Sequence, residues 1–271
     1  MLTTTAQPLR RLFVESDMDA AEVIGVSSGH LAVFCRRCPG KIEPNDDSAA
    51  FIQTASGSIV MVVADGVGGS PLGYKASAIA VESIIEGVQD AELFTDLRPA
   101  ILDGIERANH EILDMGIGAA TTLAVVEISD RVARGYQVGD SMALMIGQRG
   151  AIRWKSTPHS PVGYAIESGL LDEDDAMHHD ERHVVSNLVG SRSMHIEIGP
   201  ATKLSPRDTV VVGSDGLFDN LHISEVIQRA KSGKPQQRIA SLVQLANQRM
   251  LEFIDGEPGK PDDLAVLIYT P

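Results

Sequence analysis

The stretch Val60-Met61-Val62-Val63-Ala64-Asp65-Gly66-Val67-Gly68-Gly69 constrains this chain more than any other. An apolar, largely β-branched run ends in an aspartate and then in glycines. Its length and composition predict a buried strand, with Asp65 where that strand leaves the core. Gly66, Gly68 and Gly69 let the backbone turn sharply and approach whatever the carboxylate holds. Alone, Asp-Gly after a strand signals only a turn.

The ending recurs, however. Val210-Val211-Val212-Gly213-Ser214-Asp215-Gly216-Leu217-Phe218-Asp219 is another apolar strand closed by Asp-Gly. Asn45-Asp46-Asp47 precedes a strand, Gly139-Asp140-Ser141 follows one, and Asp262-Asp263 leads into Leu264–Tyr269. Acids at so many strand ends point to a shared carboxylate cage. Hard divalent cations such as Mg²⁺ and Mn²⁺ prefer oxygen ligands, and two neighbouring ions need several carboxylates.

Charge narrows the partners. With 37 acidic against 23 basic residues, the formal net charge is −14, which excludes the basic surface that nucleic-acid binding needs. No apolar run approaches the ~20 residues of a membrane helix, and residues 1–16 contain no secretory h-region. Cys35 and Cys38 have no second pair to complete a zinc site and read as reduced bystanders. The expected setting is cytoplasmic, with no membrane or nucleic-acid partner.

In order, the chain predicts an N-terminal arm at 1–20 and one domain at 21–271. Residues 22–35 read as strand-turn-strand, and 48–64 as a hairpin. Helical spacing covers 72–89 and 93–115. Strands at 121–128, 131–138, 143–146 and 151–154 read as one antiparallel meander. Residues 156–190 form a polar flap with two short helices. A strand at 195–198, the strand ending at Asp215, helices at 224–231 and 236–253, and a strand at 264–269 complete the chain. His159, His178, His179, His183 and His195 invite a zinc reading, but by composition only; the flap histidines read as solvated, with His178 or His179 candidates for substrate contact. Arg182 and Arg192 read as surface charges.

The ordered set Asn45-Asp46-Asp47, Asp65-Gly66-Val67-Gly68-Gly69, Gly118-Ala119-Ala120-Thr121-Thr122, Gly139-Asp140-Ser141, Ser214 to Asp219 and Asp262-Asp263 resembles the type 2C protein serine/threonine phosphatases, the PPM family. The resemblance implies an α+β fold, a four-layer α-β-β-α sandwich of two mainly antiparallel sheets flanked by helices. It also implies two Mn²⁺ or Mg²⁺ ions at one edge. By motif position, Asp65 bridges both ions, the Gly66 carbonyl ligates one, and Asp215 and Asp262 complete the other. Asp46 and Asp47 match the pair that holds metal-bound waters, making Asp47 and Asp65 catalytic candidates. Asp140 and Asp219 match acids that hold a weaker third ion in similar bacterial enzymes. Asp263 and Ser214 stand behind the ligands.

Three positions depart from the family pattern. Ile42 stands where many members carry a phosphate-clamping arginine; Lys41 is the first replacement candidate, with Arg37 and Arg36 as alternatives. Val67 stands where animal enzymes often carry a histidine, and Asp263 replaces the usual asparagine. The resemblance implies hydrolysis of phosphoserine and phosphothreonine by a metal-activated water. The partner would be a phosphorylated protein, a bacterial Ser/Thr kinase or its target. Two other readings are a weakly catalytic regulatory module docking a kinase or switch protein, and a phosphatase of small molecules.

Overall fold

The computed structural model describes residues 9–91 and 96–271. The chain runs β1 (Leu9–Phe13), β2 (Glu22–Val26), β3 (Gly29–Arg36), β4 (Asp47–Gln53), β5 (Ile59–Asp65), α1 (Gly73–Asp90), α2 (Arg98–Asp114), β6 (Leu123–Ser129), β7 (Val132–Val138), β8 (Met142–Ile146) and β9 (Ile152–Lys155). It continues with α3 (Pro161–Glu167), α4 (Glu173–Ala176), β10 (Glu197–Ile198), β11 (Thr202–Lys203), β12 (Thr209–Gly213), α5 (Asp215–Phe218), α6 (Ile223–Ala230), α7 (Pro235–Leu251) and β13 (Leu264–Thr270).

The strands form two antiparallel sheets. The first has the order β1-β4-β5-β6-β7-β10, with β11 also on β7; the second has the order β2-β3-β13-β12-β8-β9. Antiparallel strands with one wet face alternate apolar and polar residues. Here the central strands are apolar throughout because both faces are covered. On β5, Val60, Val62 and Ala64 pack with α1 and α2 residues such as Ile84 and Ile101. Ile59, Met61 and Val63 face the other way, into the layer shared with Val210, Val212 and Leu267 of the second sheet. That sheet's outer face, with Val211 and Val266, is closed by Val226 of α6 and Leu242 of α7. The α-β-β-α sandwich expected from the resemblance is therefore present. Gly104 helps draw the outer helices together: a Cβ there would lie 2.9 Å from Ile84 Cα.

Three expectations are corrected. The N-terminal arm is partly a strand: β1 pairs with β4 as an edge strand, while residues 1–8 lie outside the described residues. The four-strand meander is two hairpins in different sheets, β6–β7 in the first and β8–β9 in the second. The chain changes sheet at Gly139, whose φ is +94° and whose Cβ would lie 2.7 Å from Thr122 Cβ. This crossover, in place of a turn back onto β7, delivers Asp140 to the end of the sandwich. The second helix begins at Arg98, after the Leu97 N-cap and with Pro99 in its first turn; part of its expected start, residues 93–95, lies outside the described residues.

Candidate active site

The acidic strand ends converge at one edge of the sandwich. On the antiparallel pair β4–β5, Asp47 stands directly opposite Asp65. Like charges facing across a strand pair repel, so this pairing stands against the local energetics unless a cation intervenes. The Asp65 carbonyl accepts from Thr122 N at 2.8 Å and from Thr121 Oγ1 at 2.8 Å. The Thr122 hydroxyl meets Ser141 Oγ at 2.7 Å, next to Asp140. The Gly118–Thr122 segment therefore fixes the Asp65 backbone and ties it to the sheet crossover. At Gly66 a Cβ would lie 2.2 Å from Gly73 O and 2.9 Å from Asp46 O, so only glycine fits. Gly66 N donates to Asp46 O at 3.0 Å.

The second sheet contributes the remaining acids. β12 and β13 are neighbours, so Asp215, after β12, and Asp262, before β13, reach the same edge. Ser214 is buried, its Oγ accepting from Ala265 N at 3.1 Å. Asp219 follows α5, its N–H donating to Asp215 O at 2.7 Å.

Burial pushes Asp47, Asp65 and Asp140 well above the usual carboxylate range. For Asp65 the charges of Asp215, Asp47, Asp262 and Asp140 add to burial, so acids from both sheets act on one carboxyl. At Asp47 the Ser214 hydroxyl opposes the rise. Burial and then the Asp215 charge push Asp262 up to about 6. Asp47 Oδ2 and Asp140 Oδ1 are buried without a hydrogen-bond partner. An all-oxygen set of crowded carboxylates with orphaned oxygens fits a hard divalent cation; without one it is costly.

Two lysines flank the cluster. Lys41 Nζ donates to Asp46 Oδ2 at 2.6 Å and Asp263 Oδ2 at 2.5 Å. Asp263 is buried and also accepts from Cys38 N and Asp46 N, each at 2.6 Å. The two departures at the Lys41–Ile42 segment and at Asp263 are thus one structural unit: an aspartate there pairs with the lysine. Ile42 is 87 % exposed. Arg37 bonds Asp17 Oδ2 at 2.6 Å, and Arg36 lies 3.7 Å from Asp17, so among the three basic candidates Lys41 is the one on the cluster.

Lys260, beside Asp215, Asp219 and Asp262, was not foreseen. Its Nζ contacts Asp215 Oδ2, lies 2.8 Å from Asp262 Oδ2 and lies 3.2 Å from Asp219 Oδ2. Burial works against its charge, but these acids hold the ammonium above its ordinary range. Its signal was proximity to Asp262 alone, since a lysine between glycine and proline reads as surface.

Flap residues line an open cavity of about 710 Å³ together with Asp140, Asp215 and Asp219. Arg182 lines this cavity and its charge acts on Asp219, which corrects its reading as a plain surface charge. His178, His179 and His183 line a separate hollow with Arg249 and Phe253. His159 is buried: its Nδ1 accepts from Gly139 N at 3.1 Å, so its Nε2 donates to Glu197 at 3.1 Å. It holds the flap against the sheet crossover. Among the described residues, His222, Glu225 and Glu257 do cluster, but Arg249 pairs with both glutamates and accounts for the grouping. Cys35 and Cys38 are free thiols.

The family model described as "Protein phosphatase 2C" matches residues 37–254. The chain belongs to the protein phosphatase 2C family. It is 27% identical over 215 residues to the protein phosphatase PhpP of Streptococcus pneumoniae strain D39, covering 75% of this chain and 85% of PhpP. A PPM Ser-Thr phosphatase from Mycobacterium smegmatis, solved with cacodylate, superposes with a TM-score of 0.72 at 25% identity, covering 91% of this chain and 99% of that one. The catalytic domain of the serine/threonine protein phosphatase PstP, solved with two manganese ions, shares the fold with a TM-score of 0.71 at 18% identity, covering 89% of this chain and 96% of PstP's. As a 2C-family sandwich, the chain has its acids where its two sheets end together. No helix among the described residues is long and apolar enough to cross a membrane.

Proposed function

We propose that this chain is a metal-dependent protein serine/threonine phosphatase that hydrolyses phosphoserine and phosphothreonine. The observation that carries the reading is the convergence of Asp47, Asp65, Asp140, Asp215 and Asp262 from both sheets on one edge, with buried oxygens left unpaired. Asp65, the Gly66 carbonyl, Asp215 and Asp262 would hold two Mn²⁺ or Mg²⁺ ions, with Asp46 and Asp47 bonding water at the ions. When bound, such ions acidify a water and neutralise phosphoryl charge.

The chain's own groups supply the rest. Asp47 accepts a hydrogen bond from the attacking water and orients it in line with the leaving group. Lys41 presents its ammonium to the phosphate oxygens as a point charge, without the bidentate grip of an arginine. Asp263 keeps that ammonium aimed. Val67 offers no proton, so protonation of the leaving serine or threonine oxygen would fall to a water at the ions or to another residue. The flap, with Arg182 lining the cavity, surrounds the polypeptide on either side of the phosphorylated residue.

The natural counterpart in this reading is a Ser/Thr kinase or one of its targets, acting in the cytoplasm. The regulatory-module reading is not favoured, because the relatives are named as phosphatases. The test is phosphate release from a phosphothreonine peptide. Mn²⁺ should support turnover and EDTA abolish it. Release that EDTA leaves unchanged, or activity on small phosphorylated metabolites with none on the peptide, would overturn the reading.

A further inference from the structure

In the resemblance, Asp140 and Asp219 mark the place of a third, weaker divalent ion. In this chain that place has a neighbour of the same charge sign. Lys260 Nζ reaches Asp219 Oδ2 at 3.2 Å and Asp262 Oδ2 at 2.8 Å, and contacts Asp215 Oδ2. An ammonium has three N–H donors and no acceptor; each donor here faces a different carboxylate. This is the geometry of a small cation seated among oxygens.

The seat is built rather than fortuitous. Lys260 N donates to Asn220 Oδ1 at 2.8 Å, and Lys260 O accepts from Asn220 Nδ2 at 2.9 Å. Asn220 is fully buried and its Nδ2 also bonds Gly216 O at 3.0 Å, inside the α5 turn that carries Asp215 and Asp219. The lysine backbone is therefore locked to the same turn as its carboxylate partners. The side chain is only 25 % exposed. A second observation comes from Asp140: its Oδ1 is buried without a partner and lines the same cavity as Asp215 and Asp219. The outer end of the cluster is thus arranged around positive charge, and part of that charge is covalently attached.

We propose that Lys260 is a tethered cation that takes the place of the third divalent ion, so that this chain holds divalent ions only at the inner positions. The inference rests on the reading of the acids as an ion cage. An ammonium on a flexible four-carbon stem needs no dehydration of Mg²⁺ or Mn²⁺ and is always present at unit occupancy. It neutralises Asp219 and meets Asp215 and Asp262 through one oxygen each, Oδ2, leaving their other oxygens, Asp65 and the Gly66 carbonyl to the inner ions. The consequence is an outer site that is insensitive to divalent-ion concentration.

The experiment is Mn²⁺ titration of the full chain by calorimetry, with free Mn²⁺ counted in parallel by electron paramagnetic resonance. Wild type should bind two ions. Lys260→Met should bind a third, and adding Asp219→Asn to it should remove that third ion. Lys260→Arg, which keeps the charge, should keep the wild-type count. Circular dichroism melts of all variants verify folding, and the arginine variant supplies the comparison if the methionine variant unfolds: a third ion in the arginine variant overturns the proposal, and two supports it. Two ions in both wild type and Lys260→Met overturn the tethered-cation role while leaving the phosphatase reading intact. No Mn²⁺ bound by wild type overturns both.

Discussion

The two rims of the carboxylate cluster each carry a lysine, but the lysines sit on different acids. At one rim, Lys41 pairs with Asp46 and with the buried Asp263, which also binds two backbone N–H groups of the 38–46 loop. At the other, Lys260 pairs with Asp215, Asp219 and Asp262, acids read here as ion holders. The same ion pair therefore has two meanings. At Asp263 the carboxylate is taken up by backbone donors and fixes Lys41 beside Asp46, where its ammonium would meet substrate phosphate. Where the carboxylates would otherwise bind ions, the lysine competes with or replaces an ion.

This contrast can be broken in several ways. The largest effect belongs to the acids between the rims. Asp65→Asn or Asp215→Asn should abolish Mn²⁺-dependent peptide turnover, a loss beyond the about 100-fold that mutating a ligand's outer partner costs. Next, Asp263→Asn removes the charge that aims Lys41 and should lower turnover by about 10–100-fold, the range for such outer partners. Because its amide can still accept from the backbone, its melting temperature should fall far less than that of Asp263→Ala. Then Lys41→Met should raise KM roughly tenfold, the scale of losing one hydrogen bond to a charged group, with kcat changed less and the Mn²⁺ count unchanged. A changed ion count in Lys41→Met would erase the distinction between the rims.

A smaller effect is the pH dependence of the metal-free protein. The Asp262 carboxyl rises from 3.8 to about 6 on folding, and Asp47, Asp65 and Asp140 shift in the same direction. A raised acid favours the folded state while protonated, so this contribution is fullest below the unfolded value and is lost as pH rises through the folded one. EDTA-treated protein should therefore lose stability as pH rises from 3.8 to above about 6 as far as Asp262 is concerned. Saturating Mn²⁺ should flatten that slope. Thermal melts across pH with and without Mn²⁺ check it.

Much of this was legible in the sequence, for identifiable reasons. The β5 run and the β12 run are apolar throughout, so burial on both faces was readable, and each ended at the acid now found at the cluster. The α1 stretch carried its helical spacing in Ala76, Ala80, Ile84 and Val88. What was not legible depended on distant partners. Leu9–Phe13 has exposed Arg10 and Arg11, as an edge strand can, and nothing local announces its pairing with β4. The sheet change at Gly139 is decided by β8 pairing with β12, some sixty residues later, so local alternation suggested a meander. Helix α5 is four residues long, too short for any period. Lys260 and Arg182 became site residues only when Asn220 and the flap carried them to the acids.

In the proposed phosphatase the strand-end carboxylates hold divalent cations, with Asp65 as their common ligand. Equilibrium Mn²⁺ binding to wild type and to Asp65→Asn, counted by electron paramagnetic resonance on folded protein, tests it most directly. Wild type should bind two ions and the variant should lose or severely weaken both, since in the proposed cage one residue serves both positions. Equal binding of Mn²⁺ by the two proteins would contradict it.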